Sequence, residues 1–111
     1  QRVPERPVIV IRQQARIAFE ETEKALRESV RAAQRHLRET RAAYRAAVEN
    51  SRWAEEQARV FRNRLEEKAV LPKDLLEAEA KLAEADFQKS QACLEIWMAQ
   101  ADLEKALGVM P

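Results

Sequence analysis

Residues 66–82 read EEKAVLPKDLLEAEAKL. Apolar residues recur at helical spacing on both sides of this stretch, and a proline and an aspartate interrupt them within it. Pro72 has no backbone N–H and cannot continue a helix arriving from upstream. Asp74 is a good capping residue, and Glu77 three positions later completes an Asp-x-x-Glu capping pattern for a helix leaving downstream. The stretch predicts a sharp tip at residues 71–73 between two helices. A connection this short makes them antiparallel, which is a long helical hairpin.

Upstream, residues 15–70 read as one helix. Leu26, Val30, Ala33, Leu37, Thr40, Tyr44, Ala47, Ser51, Ala54, Ala58, Phe61 and Leu65 alternate spacings of four and three, an unbroken heptad seam. A second, weaker seam runs beside it through Ala25, Ala32, Ala43, Ala46, Trp53 and Val60, so this helix has neighbours on two sides. Residues 1–14, QRVPERPVIVIRQQ, form an irregular or short extended N-terminal segment. Its β-branched run VIVI suits a strand, or the first turn of the helix with Pro7 at its first position.

Downstream, helix 2 spans residues 74–107, and Gly108 supplies its stop. Its main seam is Leu75, Ala78, Leu82, Ala85, Lys89, Ala92, Ile96, Ala99, Leu103 and Ala106. Lys89 is the one charged member, with a stem that lies along the seam and an ammonium in water. A second face carries Ala80, Phe87, Leu94 and Ala101. Small seam residues let the helix axes approach closely but bury little area each.

A tip at 71–73 places Gly108 opposite position ~35 when both helices rise equally. Phe19, Leu26, Val30 and Ala33 then lie on a seam that helix 2 does not reach. The expectation is that the isolated chain self-associates into a dimer or larger bundle to cover that overhang, most simply with two-fold symmetry.

Composition agrees with this architecture. The chain has 111 residues, 35% charged and 46% hydrophobic, with one Gly and four Pro, the mixture of long helices or coiled coil. Acidic and basic residues are interspersed at a net charge of +1, with no concentrated basic stripe to suggest nucleic acid. No apolar run is long enough for a membrane span. The chain begins at Gln1 without a leader-like segment and reads as a mature or excised piece.

The runs DLLEAEAKLAEA (74–85) and AQADLEKALG (99–108), with YRAAVENSRWAEEQARVF upstream, resemble the TolC-like outer-membrane efflux protein family. The family has a similar Asp-Leu-Leu-acid-Ala run after each hairpin tip and a similar Leu-Gly ending on the returning helix. The resemblance covers residues 15–109. It implies one periplasmic hairpin, the C-terminal one, of a homotrimeric channel. In that family such hairpins wall a tunnel that meets a periplasmic adaptor and an inner-membrane pump. The segment itself would be soluble, in the periplasmic portion of an outer-membrane protein. Glu67, Lys68, Ala69, Val70 and Leu71 correspond to the adaptor-contacting tip, and Asp74 and Glu77 to carboxylates that narrow the entrance. Lys68 stands where the family's tip bears a docking glycine, and Val70 where some members carry an arginine that helps hold the entrance shut. At these two positions the chain departs from the family's docking and latch pattern.

Plainer roles stand beside these. Asp74 and Glu77 share a helical face and serve equally as a cap. His36 lies among Arg35 and Arg38 without a metal-ligand partner, which fits a solvated or seam-edge position. Cys93 reads as a small buried hydrophobe, and Trp53, Trp97 and Tyr44 as packing between neighbouring hairpins. No phosphate loop and no nucleophile beside a base is present, so neither an enzyme nor a cofactor is expected. Two alternatives to a channel segment are the hairpin of a periplasmic adaptor (membrane fusion protein) and a free-standing coiled-coil interaction protein. Against the adaptor, its Arg-x-x-x-Leu-x-x-x-x-x-x-Ser pattern fails at Leu65, which has Phe61 four before it and Pro72 seven after it.

Overall fold

The computed structural model describes residues 5–109, and those residues form two helices joined by a short turn. Helix α1 runs Glu5–Glu66 and α2 runs Pro72–Val109, 62 and 38 residues. The helices lie antiparallel in a rod of 103 × 18 × 13 Å, one helix thick. All-α hairpin architecture is therefore what the heptad pattern builds. No helix among the described residues is long and apolar enough to cross a membrane.

The core is the seam between the helices. All twelve positions from Leu26 to Leu65 on α1, and all ten from Leu75 to Ala106 on α2, are buried or half-buried. Its fully covered members are mostly small: Ala54, Ala58, Ala78, Ala85 and Ala99, beside Val30 and Leu37. Ala58 and Ala99 are completely inaccessible, so the axes meet at alanine contact with no room for a longer side chain. Lys89 is half-buried within the seam.

Two polar side chains are buried there and both are satisfied. The Thr40 hydroxyl donates to the Leu37 carbonyl one turn back, at 2.9 Å. Ser51 donates across the seam to an Asp86 carboxylate oxygen at 2.5 Å, which fixes the register of the two helices. Arg62 and Glu79, 3.6 Å apart, bridge the same broad face nearer the tip.

The element boundaries differ from the sequence-based expectation at every end. Residues 5–14 are helical, so of the two readings of VIVI the helical one holds. Pro7 is accommodated because the first-turn N–H groups have no helical acceptor in any case. Residues 1–4 of the expected irregular segment lie outside the described residues. Helix α1 stops at Glu66 rather than residue 70, the turn occupies residues 67–71 rather than 71–73, and α2 starts at Pro72 rather than Asp74. Proline's fixed φ suits the first helical position, so Pro72 opens α2 instead of preceding it.

This earlier tip also corrects the overhang. Moving the turn toward the N-terminus shifts the pairing, and the Ser51–Asp86 register puts Gly108 opposite position ~29. Val30 is buried at 8% exposure, and Leu26 and Ala33 are half-buried, so α2 does reach them. The unpartnered part of α1 begins below Leu26. Side chains from Arg6 to Thr22 are all exposed, including Val8, Ile11, Ile17 and Phe19.

Candidate functional site

The turned end is built by backbone conformation. Lys68 has φ of 59°, the left-handed region that favours glycine. Around it, the Ala69 N–H donates to the Arg64 carbonyl at 2.8 Å and the Lys68 N–H to the Leu65 carbonyl at 2.9 Å. These are the paired bonds of a Schellman stop, which satisfies carbonyls that the end of α1 leaves free. The chain reverses because Lys68 accepts a conformation usually given to glycine.

On the far side of the turn, Asp74 accepts a hydrogen bond from the Leu71 N–H at 3.1 Å. Leu71 is thus the capping position and Asp74 the third residue of α2. Its carboxylate reaches back over the helix start, where the free N–H groups favour negative charge. The expected pairing of Asp74 as cap with Glu77 behind it is displaced by one turn. Glu77 is exposed and lies 3.9 Å from Lys73 on its own helix.

Of the tip residues, Glu67, Lys68, Ala69 and Leu71 are exposed and Val70 is half-buried. Leu71 is 65% exposed, the most apolar point of the turned end. Asp74 is half-buried beside it. Behind the tip, Trp53, Gln57, Phe61, Glu77 and Lys81 line a shallow cleft along one edge of the seam. Trp53 is 60% exposed there, covering the seam from the side rather than filling it.

The second surface is the outer face of α2. Leu76, Ala80, Ala83, Phe87, Ser90, Leu94, Trp97 and Ala101 alternate spacings of four and three and are all exposed. At 3.6 residues per turn this row lies nearly opposite the seam buried against α1. The sequence pattern had given only Ala80, Phe87, Leu94 and Ala101 of this row. The full heptad became visible once Leu76 and Trp97, 66% and 74% exposed, proved to share the ridge. A helix apolar on two opposite faces is one that packs between two neighbours.

Charge divides between the helices. Helix α1 holds fourteen basic and ten acidic residues, and α2 four and eight. The near-neutral whole therefore conceals a net +4 helix beside a net −4 helix. Lys24, Arg31, Arg38, Arg45, Arg52 and Arg59 recur every seventh residue along one exposed ridge of α1, a regularity the composition reading passed over. Arg52 and Arg59 pair with Glu49 and Glu56 one turn back, at 2.8 and 2.5 Å. Hydrogen bonding from Arg59 holds the Glu56 carboxyl below the usual carboxylate range.

His36 is exposed, Cys93 is a half-buried free thiol, and Tyr44 is half-buried. Among the described residues no three His, Cys, Asp or Glu side chains gather as a metal site. Comparison with protein-family models, with curated proteins and with solved structures finds no significant match.

Proposed function

We propose that this chain is a wall segment of an outer-membrane efflux channel of the TolC-like kind, with its turned end offered to a periplasmic adaptor. One observation carries the reading. Helix α2 bears a heptad stripe on each of two nearly opposite faces, one covered by α1 and apolar but for Lys89, the other bare and apolar but for Ser90. A free-standing two-stranded coil needs one seam, whereas a curved wall of helices needs two on each member. Lys68 adds support, because the position where the resemblance expects a glycine is the one with glycine's backbone conformation. In this role the chain conducts and docks without catalysing a reaction. Glu67, Lys68, Ala69, Val70 and Leu71 meet the adaptor, while Asp74 and Glu77 stand at the entrance.

A photo-crosslinking residue at Lys68 or Leu71 of the native protein tests this in the envelope of its own host. The expected product is a covalent adduct with a periplasmic adaptor, which vanishes when the same group is placed at Arg38 on the shaft. Adducts from the shaft position alone, or recovery of the protein away from the outer membrane, would refute the reading.

A further inference from the structure

We infer that an arginine face at the middle of α1 is a docking surface for an acidic helix of another protein, about two heptads long.

The even mixture of charge along the chain breaks down here. Residues 31–45 hold five arginines against one acid, Glu39. Arg31, Arg35, Arg38, Arg41 and Arg45 are all exposed, and each lies three or four residues from the next. At 3.6 residues per turn they share an arc of about 120° along about 21 Å of helix, with Glu39 beyond its margin. On the same side below and above, Arg16, Arg27, Arg52 and Arg59 pair with Glu20, Glu23, Glu49 and Glu56. Among the described residues none of the five makes such a pair. The α2 edge beside them carries Cys93, Gln100 and Glu104, and Glu104 accepts a hydrogen bond from Gln100 on its own helix at 3.3 Å. Like charges at this spacing oppose one another along a helix, so an acidic partner both gains attraction and relieves repulsion.

Spacing and length identify the occupant. Arg31, Arg38 and Arg45 recur every ~10.5 Å, the rise of one heptad. A second helix with carboxylates at three- and four-residue spacing matches them one for one, and guanidinium forks bind carboxylates bidentately. Glutamates bound the face at both ends, and a membrane or a duplex lying along the rod would meet those carboxylates too. No aromatic or large aliphatic side chain stands in the arc. It therefore offers neither a stacking platform for single-stranded nucleic acid nor an apolar surface to enter a bilayer. Helix α2 of a second copy does not fit either, because none of its heptad rows carries acids at three successive positions. The surface lies on the shaft, apart from the tip, and stands whether or not the tunnel reading does.

Fluorescence anisotropy with a labelled helical peptide tests it on the whole chain. The probe has about 15 residues, with glutamates at alternating three- and four-residue spacing and alanine and glutamine elsewhere. It is expected to bind below about 100 μM at low ionic strength and to be released by about 0.5 M salt. Arg31→Gln with Arg38→Gln and Arg45→Gln should weaken binding about tenfold or more. Arg16→Gln with Arg52→Gln and Arg59→Gln removes as much charge from arginines that already have partners, and should weaken it less than about threefold. Unchanged helical circular dichroism and melting check that both variants keep their fold. A peptide of the same composition with glutamates spread around the helix should bind more weakly than the probe. No binding by the unmodified chain, equal losses in the two variants, or equal binding of the two peptides each overturns the inference. Tighter binding of duplex DNA or of vesicles with about 30% anionic lipid, lost in the Arg31, Arg38 and Arg45 variant, would overturn it in favour of a phosphate surface.

Discussion

Lys68 holds the turn in a conformation that costs an L-residue roughly 1–2 kcal/mol and costs glycine little. Part of that gain is offset by the greater freedom glycine has in the unfolded chain. Lys68→Gly is therefore expected to stabilise the hairpin by about 0.5–1 kcal/mol, read as a higher melting temperature under dilute conditions. An unchanged or lower melting temperature would mean that the lysine contributes contacts outweighing its strain. Asp74 makes the opposite prediction. Its carboxylate holds the Leu71 N–H, so Asp74→Ala should cost about 1 kcal/mol. Glu77→Ala should cost less than half of that, because its partner Lys73 is an exposed neighbour. Equal losses at the two sites would restore the capping pattern first read from the sequence. That pattern was legible as residue types but displaced by one turn. The missing signal was a glycine: the left-handed residue that ends α1 is a lysine, and in the letters EEKAVLP only the resemblance, which sets Lys68 where the family has glycine, points to it.

Between elements, the seam was fully legible and the ends were not. Every seam position from Leu26 to Leu65 and from Leu75 to Ala106 is at least half-buried, since a period of 3.5 leaves a helix only one stripe to give its partner. Helix ends depend on a few capping bonds, and prolines tolerated in a first turn obscure them further. The alanines set the spacing of the helices. Ala58 has no accessible surface, so Ala58→Leu should force the axes apart and destabilise the hairpin by about 1–3 kcal/mol in chemical denaturation. A tolerated leucine would show that the seam is loose. The exposed stretch from Arg6 to Thr22 behaves differently, since it has no partner within the chain. Its amides should exchange with solvent far faster than those of residues 30–60, and deleting it should leave the melting of the remaining hairpin within about 0.5 kcal/mol. Slow exchange throughout would reveal an interface there.

For the whole molecule, the candidate surfaces were legible in part. Tip residues and the acidic pair were located by resemblance, and Phe87 and Leu94 by periodicity. The unequal charging of the two helices was hidden because it needs helix boundaries before it can be counted. Under the proposed role, Asp74 and Glu77 recur once per subunit around the entrance, and a ring of carboxylates favours cations. Replacing them with Asn and Gln in the full-length parent is expected to raise anion passage in planar-bilayer conductance. Unchanged selectivity would leave Asp74 with its backbone contact at Leu71 as its whole task.

The alanine seam has a mechanical corollary. On α2 every second seam position is alanine and those between are leucine or isoleucine except Lys89, so a slip of one repeat offers much the same surface, as a slide rule without engraving reads the same at many settings. Ser51 with Asp86, and Arg62 with Glu79, are the engraved marks, since polar contacts on a seam specify one alignment among near-equals. Beyond Asp86 toward Val109 the described residues carry no further mark across the seam, although Lys89 sits within it. Axial strain should therefore be taken up at the end of α2 remote from the tip, while the tip half keeps its setting.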